Sequence, residues 1–274
     1  MGRIIAITNQ KGGVGKTTTC VNLAASLGAV HRKVLLVDFD PQGNATMGSG
    51  VDKHTLEHSG YHLLLEDVPT ERLILDARAA GYHLLPGNSD LTAAEVQLMQ
   101  VAGRESRLAQ RLASVRERYD YILIDCPPAL NMLTLNALTA ADAVFIPIQC
   151  EYYALEGLSA LVETIEQIRE AVNPGLEIEG LLRTMFDARN NLANEVSEQL
   201  LQHFGERVYR TIIPRNVRLA EAPSHGAPII KYDKTSRGAI AYLALAGELL
   251  RREQARSERP PDAAGPATVS GNPG

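Results

Sequence analysis

Cysteine, long apolar runs and a leader segment are scarce or missing in this 274-residue sequence. The three cysteines, Cys20, Cys126 and Cys150, are too few and too scattered for a disulfide framework or a Cys-x-x-Cys metal site, and we interpret each as a small buried apolar residue. No apolar run approaches the roughly 18 residues of a membrane-spanning helix, and no signal peptide precedes the first strand-like segment. These absences predict a cytoplasmic protein without a membrane partner.

The sequence also has no overall surplus of positive charge: its net charge is −5. The distribution is uneven, however. Residues 1–182 hold 14 Lys/Arg and 22 Asp/Glu, whereas residues 183–254 hold 11 Lys/Arg and 8 Asp/Glu. If the protein binds nucleic acid, this pattern predicts that the C-terminal third makes the contacts.

Short apolar runs rich in β-branched residues alternate with helical stretches along the chain. The predicted strands cover residues 4–8, 34–38, 82–86, 121–125, 143–148, 178–184 and 208–213. Apolar strands separated by helices indicate crossover connections, and therefore an α/β fold in three layers, with a mostly parallel twisted sheet and helices on both faces. We predict one domain over residues 1–254, and a disordered Pro/Gly-rich tail over residues 255–274.

The segment QKGGVGKTT, residues 10–18, matches a phosphate-binding loop except that Gln10 stands where the first glycine is expected. It follows a predicted strand and precedes a predicted helix, which is the context that such a loop requires. The glycines allow backbone amides to surround a β-phosphate at the helix N-terminus. We predict that Lys16 neutralises β- and γ-phosphate oxygens and that Thr17 binds Mg²⁺.

Acidic residues follow two of the predicted strands. Asp38 is the last residue of VLLVD, and Asp40 follows two residues later. Asp125 is the last residue of YILID. A single Asp in this position is usually a turn or helix cap. Here the acids converge on a loop that already needs a metal ion, so we predict that they serve Mg²⁺ and ATP.

A second lysine, Lys11, lies five residues before Lys16 and has no evident role on the same phosphates. We hypothesise that it crosses a dimer interface to reach a partner's nucleotide, as an arginine finger does. The alternative is an ordinary surface lysine.

Five separated segments, in order KGGVGKTT, DPQGNAT, DCPP, QCEYYALEGL and IPRNVRLAEAPSHG, resemble the ParA/Soj branch of the deviant Walker A ATPases, within the ParA/MinD family of P-loop NTPases. The resemblance covers residues 2–254, and Gln10 is normal for this branch. It implies an Mg²⁺-dependent ATPase that partitions chromosomes or plasmids.

The resemblance also implies roles for individual residues. Lys11, Lys16 and Asp40 would be catalytic, with Asp40 orienting the attacking water, and Gly12 would lie where two subunits meet. Asp40 and Asp125 would serve Mg²⁺ through water. The ATP-binding residues would be Lys11, Gly12, Gly13, Val14, Gly15, Lys16, Thr17, Thr18, Pro214 and Asn216, the last two around adenine.

Members of this branch bind double-stranded DNA without sequence preference, as ATP-dependent homodimers on the nucleoid. By resemblance Arg189 and Arg218 would contact DNA, and charge clustering alone adds Lys231, Lys234 and Arg237; the alternative for each is a solvated surface cation. Slow hydrolysis would be stimulated by a ParB-like centromere-binding protein.

Other functions share parts of this pattern. A MinD-like, membrane-associated cell-division regulator would need a basic amphipathic helix at the C-terminus, where this sequence is rich in proline. A nitrogenase-type iron protein would need cluster-binding cysteines. A plasmid-type relative would carry a helix-turn-helix before the loop. His54, His58 and His62, four residues apart, suggest a metal site, but we expect exposed histidines because Ser59 and Gly60 interrupt the helix.

Overall fold

The computed structural model describes residues 2–258. Within them the strands are β1 (Arg3–Ile7), β2 (Val34–Asp38), β3 (Leu75–Ala77), β4 (Tyr82–Leu85), β5 (Tyr121–Asp125), β6 (Ala143–Gln149), β7 (Glu177–Phe186) and β8 (Val208–Pro214). The α-helices of the same residues are α1 (Lys16–Ala29), α2 (Asn44–Gly48), α3 (Gly60–Leu65), α4 (Thr70–Leu73), α5 (Asp90–Leu98), α6 (Arg107–Ala113), α7 (Met132–Ala140), α8 (Ala154–Ala171), α9 (Asn191–Phe204), α10 (Val217–Glu221), α11 (Ile229–Tyr232) and α12 (Arg237–Ser257).

All eight strands of residues 2–258 form one sheet, in the order β3-β4-β2-β5-β1-β6-β7-β8. Every pairing is parallel except that of β3 with β4. The predicted parallel α/β fold is therefore confirmed. No sequence pattern predicts β3, because this antiparallel edge strand has three residues and two of them are exposed.

Helices cover both faces of the sheet because alternate side chains of the central strands point in opposite directions. Ile4, Leu35 and Ile122 belong to one buried cluster, with α5 to α9. Their neighbours in the chain, such as Ile5 and Leu36, belong to the cluster formed with α1 and α12. Strands buried on both faces have to be apolar throughout, which explains the uninterrupted apolar runs.

The strand register decides where the acidic residues lie. Asp38 at the end of β2 is paired with Asp125 at the end of β5, and Asp125 is also paired with Ile7 at the end of β1. The loop that follows β1 therefore leaves the sheet beside both carboxylates. This juxtaposition at the carboxyl edge creates the candidate site.

The last helix, α12, continues to Ser257, three residues beyond the domain boundary predicted at residue 254. Arg256 forms an ion pair of 2.6 Å with the fully buried carboxylate of Glu179, which holds the last turn against the sheet. The rest of the predicted tail, residues 259–274, lies outside the described residues.

Two further predictions concern burial and membranes. Cys20, Cys126 and Cys150 are free and buried, as predicted. Of the helices in residues 2–258, none combines the length and the apolar character needed to cross a membrane.

Candidate nucleotide site

The loop from Thr8 to Gly15 joins β1 to α1, and its glycines differ in what they require. Gly13 and Gly15 have φ angles of +74° and +88°, which strongly favour glycine. Gly12 does not have a positive φ, and a Cβ added there would meet nothing within 4 Å. The backbone of a single chain therefore explains why residues 13 and 15 are glycine, but it does not explain why residue 12 is glycine.

The loop opens onto the N-terminus of α1. Gly15 is the N-cap, and no side chain caps this 14-residue helix. The first amides of the helix are therefore available to an anion, and the helix dipole adds partial positive charge. Thr17 and Thr18 lie half-buried in the first turn, and Val14 is buried behind the loop.

Two supports of the loop could not be identified from the sequence. The Oδ1 of Asn9 accepts a 3.0 Å bond from the Lys11 amide, while its Nδ2 donates to the Pro147 carbonyl. The buried hydroxyl of Thr184 donates a 2.7 Å bond to the Val14 carbonyl. The only available signal for Thr184 was its place near the carboxyl end of a predicted parallel strand.

Lys16 lies under the loop with 7% of its surface exposed. Its Nζ donates a 3.2 Å bond to the Lys11 carbonyl, and none of the ion pairs within residues 2–258 involves it. Burial lowers the pKa of Lys16, although Asp125 and Asp40 act in the opposite direction. A phosphate would supply the counter-ion that this ammonium lacks.

The two register-paired carboxylates are fully buried. Asp38 accepts bonds of 2.6 Å from both the amide and the hydroxyl of Thr46, and burial nevertheless raises its pKa to about 7. Burial and the charge of Asp38 raise the pKa of Asp125 well above the usual range, an effect partly offset by Thr17. The Sγ of Cys20 donates to Asp125 Oδ1 at 3.4 Å.

The residues at this edge fit a magnesium ion. Asp125 Oδ2 is buried without a hydrogen-bond partner, Thr17 is close enough to lower the pKa of this carboxyl, and hydroxyl and carboxylate oxygens suit Mg²⁺. No group of three His, Cys, Asp or Glu residues in the described part of the chain could hold a metal by itself. This is the donor set of a metal held by one or two side chains together with phosphate and water.

The histidine spacing does not produce a shared helix face. The helix α3 begins at Gly60, so His54 and His58 precede it. The His62 ring accepts the Ser59 amide as part of the capping box of that helix.

Asp40 lies on the turn after β2, 8% exposed, where its Oδ1 accepts the Gln42 amide. The same segment is fixed at Thr46, whose hydroxyl oxygen accepts the Gly87 amide at 2.9 Å while its proton goes to Asp38. The turn is thereby held beside the loop, with the Asp40 carboxylate close enough to Lys16 to act on its pKa.

Lys11 does not point at its own phosphate loop. Its Nζ lies 2.5 Å from Glu151 Oε2, and both side chains remain more than two-fifths exposed. Glu151 was not predicted as a site residue, although it lies within the segment QCEYYALEGL. Within a single chain, the charge of Lys11 is thus neutralised by Glu151, which lies 140 residues away in the sequence.

Pro214 and Asn216, expected around adenine, lie where β8 leads into α10. Asn216 is the N-cap of α10, and its Oδ1 accepts the Leu219 amide at 2.8 Å. Its amide nitrogen is the part of the side chain that remains for a ligand.

The five basic residues expected to contact DNA are all exposed. Arg189, 90% exposed, forms a two-bond pair with Asp187, and Arg218, 58% exposed, pairs with Glu221 at 3.1 Å. Lys231, Lys234 and Arg237 form no ion pair with any described residue. Unlike Arg189 and Arg218, the three residues proposed from charge clustering alone are therefore not held by a carboxylate of the described chain.

A glycine loop that opens onto a helix N-terminus, beside a buried lysine and register-paired acids on a parallel sheet, is the arrangement of the P-loop NTPases.

Comparison with known proteins specifies the family. The family model for an AAA domain matches residues 2–178. The sporulation initiation inhibitor protein Soj of Bacillus subtilis is 54% identical over 249 residues, covering 91% of this chain and 98% of Soj. The chromosome partitioning protein ParA of Myxococcus xanthus is 52% identical over 259 residues, covering 94% and 92%.

A solved structure shares the fold. The cobyrinic acid a,c-diamide synthase of Mycobacterium smegmatis, with a bound ATP analogue and magnesium, superimposes with a TM-score of 0.82 at 38% identity, covering 95% of this chain and 99% of that one. The chain belongs to the ParA/Soj family of chromosome-partitioning P-loop ATPases, a family that uses ATP and Mg²⁺.

Proposed function

We propose that this partitioning ATPase is a DNA-binding switch operated by ATP-dependent dimerisation. In the ATP state two chains form a sandwich dimer that binds double-stranded DNA without sequence preference. Hydrolysis separates the chains and releases the DNA. The relatives are named for chromosome partitioning, which favours a chromosomal role in the cytoplasm, on the nucleoid.

Nucleotide binding is assigned to the loop and its surroundings. Lys16 and the loop amides would contact phosphate oxygens, Thr17 would hold the metal, and Asp125, whose Oδ2 has no hydrogen-bond partner, would serve the metal through water. When bound, Mg²⁺ neutralises charge that develops on the phosphates. Pro214 and Asn216 lie beside the adenine.

Lys11 is the observation on which the proposal depends. Lys16 already lies under the phosphate loop, where it can contact the phosphates of a nucleotide bound to its own chain. Lys11 is exposed and is paired with Glu151 instead. Gly12, beside it, is unobstructed within its own chain. Both facts are explained if this surface of the loop meets a second copy, whose triphosphate takes over Lys11 from Glu151.

Dimerisation would allow the protein to bind DNA because it brings together the positive charges of two chains. Arg189, Arg218, Lys231, Lys234 and Arg237 are exposed, and dimerisation doubles every phosphate contact that they make. Nonspecific affinity depends steeply on the number of phosphates neutralised, so a surface that is too weak in the monomer binds in the dimer. Arg189 and Arg218 would exchange their carboxylate partners for phosphates.

Hydrolysis is expected to be slow. Asp40 is the residue assigned to orient the attacking water, and the segments KGGVGKTT, DPQGNAT and DCPP contain no histidine or glutamate that could act as a strong general base. A slow ATPase needs an external stimulus, and we propose a ParB-like centromere-binding protein in that role.

A gel shift of nonspecific duplex DNA with ATP, with ADP and without nucleotide tests the proposal. We expect a shift with ATP only, lost in Lys11→Ala and Lys16→Ala. Asp40→Ala should retain the shift and lose turnover. Strong binding without nucleotide, or binding that does not weaken as salt rises, would contradict the proposed switch.

A further inference from the structure

A basic cleft lies at the end of the sheet opposite to the nucleotide loop. It has a volume of about 330 Å³ and lies among the starts of β2, β4 and β5. Four cations line it, Arg32, Lys33, Arg78 and Arg118, against the single carboxylate of Asp76. We call these four residues the distal basic cleft.

Three of these four cations form no ion pair within the described chain. Arg32, Lys33 and Arg118 are exposed and form no ion pair with any residue of the described chain, whereas Arg78 pairs with Asp76. Two acids adjoin these cations: Glu117 precedes Arg118 in the chain, and Asp120 accepts the backbone amide of Lys33 at 2.7 Å. The cleft is therefore a positive region within the part of the sequence, residues 1–182, that is acidic overall.

The cleft adjoins the basic segment of the C-terminal third. Lys231 passes over the turn at Gly81, which lines the cleft, and its Cε lies 3.7 Å from where a Cβ of residue 81 would be. Lys231 is already assigned to the DNA surface. Lys231 therefore brings a cation of the C-terminal third next to the distal basic cleft, near the start of β4.

We infer that the distal basic cleft extends the DNA-binding surface and contacts the phosphate backbone of the same duplex. The inference rests on the proposed function. Exposed arginines and lysines on separate turns suit the spaced charges of a polymer. A single small anion would instead be held by converging, buried donors, and the three unpaired cations here are all exposed.

The test is the double variant Arg32→Glu/Arg118→Glu in the full chain, with DNA binding measured by fluorescence anisotropy in ATP over a range of salt concentrations. Neither residue belongs to the catalytic site, so basal ATP hydrolysis should be unchanged. We expect weaker binding and a shallower dependence of log affinity on log salt, by roughly one for each phosphate that the variant no longer neutralises.

The matched control is Arg210→Glu/Arg251→Glu, which changes the net charge equally. Both arginines are exposed and line a different groove, beside β8 at the other lateral edge of the sheet. The control should bind DNA almost as the unmodified chain does.

The outcomes separate the two hypotheses. If the unmodified chain does not bind DNA with ATP, the proposed function fails. If it binds, but the cleft variant binds as well as the control, the inference about the cleft is wrong. Unchanged DNA binding together with a loss of stimulation by a ParB-like protein would also overturn it, because the cleft would then bind protein.

Discussion

At the scale of single residues, the pair of Lys11 and Glu151 connects the nucleotide loop to the rest of the chain. Each charge is partly exposed, so the pair contributes only about 0–1 kcal/mol. An ion pair this weak is suited to exchange, because a triphosphate offers Lys11 more negative charge than one carboxylate does. The pair thus favours the monomer slightly without preventing dimerisation.

Glu151→Gln should therefore promote dimerisation. Releasing Lys11 lowers the concentration of a non-hydrolysable ATP analogue needed for the dimer, by up to about fivefold if the pair contributes about 1 kcal/mol. Sedimentation velocity measures the shift. Glu156→Gln, an exposed change on α8 nearby, is the control and should have no effect. A Glu151→Gln protein that no longer dimerises would show that Glu151 has a positive role in the dimer.

Gly12 and Gly13 should respond differently to valine. A Cβ at position 12 meets nothing within 4 Å and position 12 needs no positive φ, so Gly12→Val should keep the melting temperature of the monomer and fail only to dimerise. Gly13→Val forces a β-branched residue into φ +74° and should lower the melting temperature itself. Thermal unfolding and sedimentation of both variants decide this. Equal destabilisation by the two changes would contradict the interpretation.

Asp38 should make stability depend on pH. Its pKa is raised to about 7, so between about pH 4 and pH 7 the folded state binds a proton that the unfolded state has released. The free energy of unfolding should therefore fall as pH rises through this window, by up to about 1.4 kcal/mol per unit. Asp38→Asn removes this contribution. Urea unfolding without nucleotide should show a flatter profile for the variant, and parallel profiles would contradict the prediction.

At the scale of elements, the phosphate loop depends on the end of β7. The hydrogen bond from Thr184 on β7 to Val14 fixes the loop from behind. Residue 185, the next along β7, has a φ of +48°, unusual for methionine, close to Gly15. The end of β7 is thus shaped around the loop, although no motif includes it.

Thr184→Val should loosen the loop. The change keeps the side-chain shape and removes one hydrogen bond worth about 1 kcal/mol, so ATP affinity should fall about fivefold. Thr139→Val is the control, since the buried hydroxyl of Thr139 has no partner and its removal should be neutral or stabilising. Nucleotide titration by calorimetry measures both. Unchanged affinity in Thr184→Val would show that the loop does not need this support.

The elements also show what sequence patterns can and cannot predict. The central strands β1, β2, β5 and β6 are the most readily predictable, because parallel strands buried on both faces are apolar along nearly their whole length. The antiparallel edge strand β3 is not predictable, because only one of its residues is buried. At the other edge, Glu248 on α12 accepts the amides of Arg210 and Thr211 on β8, an interaction between distant segments that no local pattern predicts.

At the scale of the whole molecule, the position of the candidate site follows from the sequence. Motifs identify Lys16, Thr17, Asp40 and Asp125 as candidates, and the parallel sheet implies that they meet at one edge. The residues that support the loop cannot be predicted from the sequence, because Glu151 and Thr184 are distant from the loop in sequence and are brought next to it by the fold. The distal basic cleft is hidden for the same reason, since its cations come from three turns within an acidic stretch of sequence.

Sedimentation velocity with a non-hydrolysable ATP analogue and Mg²⁺ shows whether Lys11 acts on a partner's nucleotide. The unmodified chain should be dimeric with the analogue and monomeric with ADP. Lys11→Ala should still bind the analogue through Lys16 but stay monomeric, whereas the exposed control Lys234→Ala should dimerise normally. A Lys11→Ala protein that forms the dimer as readily as the unmodified chain would contradict the account.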